Sequence, residues 1–381
     1  MAMRPMRITI VGGGPGGLYF AILMKRLAPA HQVTVFERDA PGETFGWGVS
    51  FDARTLDAVR ETDRPSYDAL QRHAATWDRL AVHHGTDRIE LRGDPFAGLR
   101  RTALVATLRG RASELGVDLR FQSPVRDVRT LPEADLLVGA DGANSLVRQT
   151  FADGFQPTLR SGRNLYVWLG VRLRLEALTL AFRRAPAGVF AAHGYPFDAG
   201  HSSVIVECSE QTWSRAGLDR RTDTDACSYL SDLFVEELGG HLLLTNDRMR
   251  WKHFLLVDNA HWHSGRTVLL GDALHTVHFS TGAGTRVALE DAIALSRACT
   301  AHHDLERALD AFEAERRPAA AADQERARAS LAWFEGLERI MAVSPVDLAY
   351  RALTETRRID PNRLADLNPE FAERVRHRSH A

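Results

Sequence analysis

Three short stretches of this 381-residue chain place glycine beside an acid, or ahead of one, at the end of an apolar run. The first is Gly12-Gly13-Gly14-Pro15-Gly16-Gly17, which follows Ile8-Thr9-Ile10-Val11. An apolar helix is expected from Leu18 to about Leu27. A second apolar run, Val33-Thr34-Val35-Phe36, then closes on Glu37. Strand, glycine turn, helix and acid-ended strand together form the dinucleotide-binding fingerprint. Gly12 permits the tight turn, Gly14 lets the backbone approach a pyrophosphate, and Gly17 lets the helix close on the sheet. The N-terminus of the expected helix favours negative charge through its free N–H groups and dipole. Glu37 is placed to accept from a ribose, with Arg38 beside it. The pattern does not separate NAD from FAD, and a glycine turn that binds nothing stays open.

The second stretch, Gly139-Ala140-Asp141-Gly142, follows the short strand Leu136-Leu137-Val138. The third, Leu270-Gly271-Asp272-Ala273, follows Thr267-Val268-Leu269. Each alone reads as an ordinary strand-to-turn connection. Their order after the glycine fingerprint makes coincidence a poor account.

The elements that must position these residues fall into two kinds. A helix is expected over 100–115 from the Leu104 and Leu108 pair, with Gly116 as its cap and a strand at Val117–Phe121. Between Leu165 and Leu175 the sequence alternates, with Val167, Leu169, Val171, Leu173 and Leu175 on one face, so one strand is expected there. Gly188–His193 and Ser203–Glu207 are further strand candidates. Residues 155–255 therefore read as a mostly antiparallel domain inserted into a nucleotide domain made of separated pieces. Helices are expected from Asp272 to about residue 340.

Bulk properties exclude several classes. Lys+Arg total 48 against 49 Asp+Glu, a net charge of −1, so no footprint for nucleic acid or a membrane surface is expected. The only lysines are Lys25 and Lys252. Three distant cysteines, Cys208, Cys227 and Cys299, have neither metal-ligand nor disulfide-framework spacing, so a reducing cytoplasm is the simplest setting. No run reaches transmembrane length, and the N-terminal apolar residues read as a first strand rather than a signal peptide. The histidines His261, His263, His275 and His278 lack the acid or cysteine spacing of a metal site, so no metal is expected.

The three motifs together resemble the single-component flavoprotein aromatic hydroxylases, the FAD monooxygenases. The resemblance narrows to the salicylyl-CoA 5-hydroxylase group and related bacterial tryptophan-type hydroxylases. It is carried by Gly46-Trp47-Gly48-Val49, His193-Gly194-Tyr195-Pro196-Phe197, Val204 to Trp213, His278 to Arg286, and Ser330 to Glu335. Many family members have a proline before the late glycines and an asparagine after them; this chain has Phe279 and Arg286 there.

The resemblance implies an α/β fold: a Rossmann-like FAD-binding domain of the aromatic-hydroxylase type, an inserted mostly antiparallel β-sheet substrate domain, and C-terminal helices. Residues 1–75, 100–155 and 256–340 are expected in the FAD-binding domain and 76–99 and 156–255 in the substrate domain. Residues 341–381 are expected as a C-terminal helical segment. FAD contacts are implied for Gly12, Gly14, Pro15, Gly17, Glu37, Arg38, Trp47, Gly48, Arg101, Asp141, Gly271, Asp272, Gly282, Gly284 and Thr285. Of the adjacent pair Arg100 and Arg101, the latter matches better.

The implied reaction uses NAD(P)H to reduce FAD and O2 to form a C4a-hydroperoxide, which delivers an electrophilic OH to an electron-rich ring. The N-terminus of a helix from Thr285 to about Cys299 would aim N–H groups at the flavin. Catalytic candidates are His193, Tyr195, His278 and Arg286. Either histidine would help deprotonate a ring hydroxyl, since histidine titrates near neutrality. Arg286 either adds charge beside the flavin or is a surface arginine of the first helical turn. Trp47, Phe279 and Thr281 are expected near the substrate, with plain core packing as the alternative for each aromatic. His275 is expected to serve the fold beside Asp272. The Arg-rich first half is either a CoA phosphate site or a solvated face.

The leading expectation is a ring hydroxylase acting on an aromatic acyl-CoA. A hydroxylase of a free aromatic acid, amino acid or specialised-metabolite precursor, with or without coupled ring chemistry or decarboxylation, remains open. So does a non-catalytic binding protein on the flavoprotein scaffold, although the two later motifs argue against it. The same motifs disfavour a plain NAD dehydrogenase. NADH against NADPH and the oligomeric state stay unassigned.

Overall fold

The computed structural model describes residues 4–43, 46–246 and 249–378. Thr44 and Phe45 of the aromatic loop and residues 379–381 of the expected C-terminal segment lie outside the described residues. In chain order the strands are β1 (Arg7–Val11), β2 (Gln32–Phe36), β3 (Gly48–Asp52), β4 (Ala75–His84), β5 (Asp87–Arg100), β6 (Asp118–Arg120) and β7 (Leu136–Gly139). There follow β8 (Pro157–Val171), β9 (Leu178–Ala185), β10 (Gly188–Pro196), β11 (Ser202–Ser209), β12 (Leu243–Leu244), β13 (Lys252–Asn259), β14 (His263–Ser264) and β15 (Thr267–Leu269).

The first sheet has the order β14-β15-β7-β1-β2-β6. Its β1, β2, β6, β7 and β15 are parallel, with Ile10 opposite both Val35 and Val138, and β14 pairs antiparallel with β15. Parallel strands are covered on both faces, which is why they read as continuous apolar runs. Ile8, Ile10, Val33, Val35, Leu136, Val138, Val268 and Leu269 are all buried.

Helix Pro15–Leu27 packs against helices Arg101–Glu114 and Gly284–Ala301. That sandwiching explains why every residue from Pro15 to Met24 is buried rather than one stripe. From its last turn, Lys25 Nζ donates to the Pro29 and His31 carbonyls, holding the chain that leads into β2.

Among the described residues the second sheet has nine strands, in the order β12-β8-β11-β10-β9-β4-β5-β3, with β13 also pairing β8. All of its ladders are antiparallel except β4 with β9, which runs parallel from Leu80 opposite Leu178 to His84 opposite Phe182. This ladder joins two excursions of the chain, 75–100 and 157–259, into one surface. The sheet also takes in β3, whose residues lie inside the stretch expected to belong to the nucleotide unit.

One strand expectation needs correcting. The alternating run from Leu165 to Leu175 does not stay a strand: β8 begins earlier, at Pro157, and stops at Val171. The cause is Ser202, whose hydroxyl donates to the Leu173 carbonyl and accepts from the Leu175 N–H. A side chain thereby supplies the partners that a continuing ladder would have used.

Helix Leu305–Glu335 runs past both sheets, helices Pro345–Thr354 and Pro361–Leu367 pack on β4 and β5, and helix Pro369–Arg378 packs against those two helices. Their apolar faces share one core with the second sheet, including Trp77, Leu80, Phe182, Trp333, Leu348 and Leu353. The Asn368 side chain accepts from Arg92 N–H and donates to its carbonyl, so it occupies a backbone partner's place beside β5. No helix among the described residues is long and apolar enough to cross a membrane.

Candidate active site

A cleft of about 850 Å³ is lined by residues of both sheets, and all three glycine–acid motifs reach it. At the first motif, Gly12 has φ +108°, and a Cβ there would land on the Ala140 carbonyl. A Cβ at Gly17 would strike the Gly12 carbonyl and the Ala140 side chain. Gly14 is different: a Cβ would meet nothing within 4 Å, and the residue faces the cleft. Its bareness therefore keeps cleft volume free rather than relieving a clash. The helix it opens has no side-chain cap and no acid in its first turn, which leaves the terminal N–H groups for an anion.

Glu37 accepts from the N–H groups of Gly13 at 2.8 Å and Asp39 at 2.9 Å. It thus locks the glycine turn to the end of β2. A carboxylate has about four lone-pair sites, so two remain for a ligand hydroxyl.

At the second motif, Asp141 Oδ2 accepts from Leu146 and Val147 N–H at 2.7 and 3.2 Å, while its buried Oδ1 has no partner among the described residues. Arg148 is buried and donates to the Ala143 and Ala273 carbonyls, tying the second motif to the third. At the third motif, Asp272 projects into the cleft, open to solvent there yet walled by protein. Its surroundings push the carboxyl pKa up, opposed by the Arg101 guanidinium and His275. Arg101 opens helix Arg101–Glu114, and desolvation lowers its pKa, with Asp272 and Tyr195 pulling the other way. Behind Asp272, the His275 Nε2 to Asp291 distance is 2.7 Å. Burial works to raise the Asp291 pKa, but His275 and Arg316 outweigh it and hold it low. His275 serves the fold through Asp291.

The far end of the cleft is aromatic. Tyr166 and Phe279 meet with ring centroids 4.7 Å apart, and Tyr195 lies beside them with its hydroxyl donating to the Gly48 carbonyl at 2.8 Å. Burial pushes the Tyr195 pKa up to about 12, so it stays a phenol. A small annex of about 10 Å³ continues from this end, sharing Ser50, Tyr195, Ile205, Phe279 and Gly282 with the cleft and adding His193. His193 Nε2 is 2.7 Å from Glu207 Oε1, and both side chains are buried. Burial tends to raise the Glu207 pKa, but the hydrogen bond and charge of His193, with Asn164 and His278, bring it below the usual range. With Glu207 ionised, His193 Nε2 carries a proton and donates. Its Nδ1 is buried with no partner among the described residues.

Of the expected FAD contacts, Gly12, Gly14, Pro15, Gly17, Glu37, Arg38, Arg101, Asp141, Gly271, Asp272, Gly282, Gly284 and Thr285 all line the cleft. Trp47 and Gly48 do not. The Trp47 ring lies over Gly170, where a Cβ would sit 2.5 Å from it, and Gly48 is fitted against Phe197. Phe279 and Tyr195 line the cleft; Thr281 instead turns its hydroxyl to the His278 carbonyl.

Two catalytic expectations meet a different geometry. His278 lies outside the cleft lining, bonded through Nδ1 to Ser280 at 2.7 Å, and burial lowers its pKa to about 4, with Glu207 opposing and His193 reinforcing. It is neutral at pH 7 and a weak base. Arg286 is neither at the cleft nor a free surface arginine: it binds both Glu290 oxygens at 3.0 Å and Asp323 at 2.5 Å. Burial works against its charge, but these acids raise its pKa, and the group clamps helix Gly284–Ala301 to helix Leu305–Glu335.

Sequence reasoning missed Tyr166, Trp168, Arg250 and Lys252 in the cleft wall. A signal existed for the first two. They occupy the opposite face of the β8 alternation from Val167, Leu169 and Val171. Among the described residues, no group of three or more His, Cys, Asp or Glu is placed to hold a metal ion.

Residues 116–327 match the family described as "FAD binding domain". The chain is 40% identical to a salicyloyl-CoA 5-hydroxylase from Streptomyces sp, over 97% of this chain and 73% of that protein. It is 36% identical to a 3-hydroxy-4-methyl-anthranilyl-[aryl-carrier protein] 5-monooxygenase from Streptosporangium sibiricum, over 87% and 90%. It is 33% identical to a protodeoxyviolaceinate monooxygenase from Chromobacterium violaceum, over 90% and 92%. The fold matches 2-methyl-3-hydroxypyridine-5-carboxylic acid oxygenase (mutant C294A), with TM-score 0.73 and 21% identity over 95% of this chain and 98% of the other. The cleft also fits FAD on its own terms, with an uncapped helix N-terminus and two buried polar atoms along its wall, Asp141 Oδ1 and Arg109 Nε, that have no partner among the described residues. Sequence, fold and cleft agree that the chain belongs to the FAD-binding aromatic hydroxylases and is an FAD-dependent monooxygenase of aromatic rings, with NAD(P)H as reductant.

Proposed function

We propose that the substrate is a hydroxylated aromatic acid carried as a thioester, and that His193 takes the proton of its ring hydroxyl. The observation that carries the reading is the continuity of the cleft, from the bare helix N-terminus at Gly14 to the aromatic end at Tyr166, Tyr195 and Phe279. A cofactor lying along the first part would leave the second for a ring. The thioester is supported by two relatives, whose names give CoA in one and an aryl-carrier protein in the other.

When bound, FAD supplies the redox and oxygen chemistry. The protein's part is placement and proton handling. Helix Pro15–Leu27 would present N–H groups to the pyrophosphate, Glu37 would accept from the ribose, and Arg101 and Asp272 would hold the middle of the cofactor. Helix Gly284–Ala301, also without a side-chain cap or first-turn acid, presents its N-terminus at Gly284 and Thr285. Phe279, Tyr166 and Tyr195 wall the ring and exclude water. His193, oriented by Glu207, accepts the ring hydroxyl proton at Nδ1, which makes the ring more electron-rich. Arg38, Arg250 and Lys252 supply cations to the cleft wall for phosphates of the thioester arm.

The test is a screen of NAD(P)H oxidation with paired hydroxyaryl acids and their CoA thioesters, with product and peroxide both quantified. Coupled turnover with the thioester alone is expected. Coupled turnover restricted to free acids would overturn the thioester assignment.

A further inference from the structure

Among the described residues, Arg358 is the one that the C-terminal helical segment contributes to the annex wall. Helix Pro345–Thr354 ends in a turn in which Arg357 has φ +54° and the N–H groups of Arg358 and Ile359 both return to the Leu353 carbonyl. This left-handed closure swings the chain back toward the sheet. Arg357 then pairs with Glu325 at 2.7 Å and is half exposed. Its neighbour Arg358 instead joins Ser50, Phe96, Leu178, His193, Tyr195, Ile205, Phe279 and Gly282 around the annex. Its guanidinium has no hydrogen-bond or ion-pair partner among the described residues, whereas Arg286, Arg148, Arg111 and Arg316 are all paired. Desolvation lowers the Arg358 pKa to about 10, with no acid opposing it, so it is still a cation at neutral pH.

Arg358 is partly covered and stands at the wall of a largely apolar cavity with no anion beside it, and such a cation is a candidate for completion by a ligand. The size of the annex restricts that ligand. About 10 Å³ is the room needed by one water-sized atom group, not by a ring or a two-oxygen carboxylate. Its walls are apolar apart from Ser50, His193, Tyr195 and Arg358. The charged or titratable groups facing it are therefore His193, Tyr195 and Arg358, with Glu207 and His278 behind His193.

We infer that Arg358 binds the ring-hydroxyl oxygen of the aromatic substrate and holds it as a phenolate, acting as the counter-ion that makes the annex specific for a hydroxylated ring. The inference rests on the proposed reading in which a hydroxyaryl substrate occupies the aromatic end of the cleft. The bond that breaks is the substrate O–H. The proton goes to His193, and the electron pair stays on the oxygen, opposite the guanidinium. No further oxidant or reductant enters this step. It gives the chain a way to reject a ring that lacks the hydroxyl, because the cation would then stay unpaired.

The experiment uses the FAD-loaded enzyme without reductant, so that binding is read apart from turnover. A hydroxyaryl ligand and its deoxy analogue, each as free acid and as CoA thioester, are titrated against the flavin spectrum. A nitro-substituted hydroxyaryl ligand reports the pKa of the bound phenol directly. Wild type is expected to prefer the hydroxylated ligand at least about tenfold and to lower the bound phenol pKa by about one unit or more. Arg358→Gln should lose both effects, Arg358→Lys should restore part of the pKa shift, and Arg357→Gln should behave as wild type. Melting temperature and flavin content of Arg358→Gln should not fall, since an unpaired charge is removed.

Discrimination and phenol pKa unchanged in Arg358→Gln would overturn the inference while leaving the thioester reading intact. A large fall in its melting temperature together with lost binding would identify a structural arginine and also overturn it. Preference for the free acid with full dependence on Arg358 sinks the thioester reading and supports the inference. Failure of wild type to bind the hydroxyaryl ligand in either form sinks both.

Discussion

The Arg148 guanidinium donates to the Ala273 carbonyl at 2.9 Å, joining the turn after β7 to the turn after β15. It also holds the Ala143 carbonyl at 2.5 Å. The turns that carry Asp141 and Asp272 are therefore tied together by one buried cation that bonds neither acid. Replacing Arg148 by Met should cost about 2–4 kcal/mol, because two enclosed carbonyls lose a charged donor. Chemical denaturation would measure this. Flavin occupancy of the purified protein should fall with it, and unchanged occupancy would mean the tie does not shape the cleft.

Gly12 and Gly14 should separate under the same substitution. Gly12→Ala puts a methyl into the Ala140 carbonyl at a positive φ, so soluble folded protein should be lost. Gly14→Ala meets open cleft space, so the apoprotein should keep its stability to within about 0.5 kcal/mol. Its FAD dissociation constant should nonetheless rise by about tenfold, or ~1.4 kcal/mol. The pair of measurements is thermal melting of apoprotein and flavin titration.

Glu207 should matter to rate more than to affinity. In Glu207→Gln the neutral amide no longer holds the Nε2 tautomer of His193. On the proposed reading, kcat for a hydroxyaryl substrate should fall by about 10²-fold while KM changes little. Equal kcat in mutant and wild type across pH 6–9 would remove His193 from proton transfer.

His278 makes acid sensitivity part of the fold. Its folded pKa is lowered to about 4 from an unfolded value of 6.5, so the unfolded chain binds the proton first as pH falls. Stability should accordingly decline between about pH 6.5 and pH 4 and lose nothing further from this group below that. The full effect is on the order of 3 kcal/mol. His278→Asn, which keeps a partner for Ser280, should flatten that part of the stability–pH curve. An unchanged slope in the mutant would assign the acid sensitivity to another group.

The nucleotide half of the molecule was legible because its signals are local. Gly12, Gly14, Gly17 and Glu37 lie within one strand-turn-helix-strand unit, where Gly12 and Gly17 relieve backbone clashes and Gly14 keeps the cleft open. The substrate half was less legible because its determinants are non-local. Arg286 follows the late glycines and looks poised for the cofactor, yet Asp323 on another helix claims it. His278 and His193 are alike as residues; only packing decides that one bonds Ser280 and the other Glu207. Arg358 carries no local signal at all. Its place in the annex follows from a turn in the C-terminal segment, whose helices were foreseen only as a segment after the cofactor domain.

The parallel β4–β9 ladder sets the order in which the molecule can be made. Residues 75–84 have no finished partner on one side until residues 178–185 leave the ribosome. In the first sheet, β7 likewise waits for β15 at residues 267–269. Neither half can close early and shelter the other. The nascent chain carries open sheet edges through most of its synthesis, a high-contact-order route that is slow and exposed to misassociation. Truncation from the C-terminus should therefore yield aggregation rather than a smaller soluble domain, and recombinant yield should respond to slower translation and lower temperature.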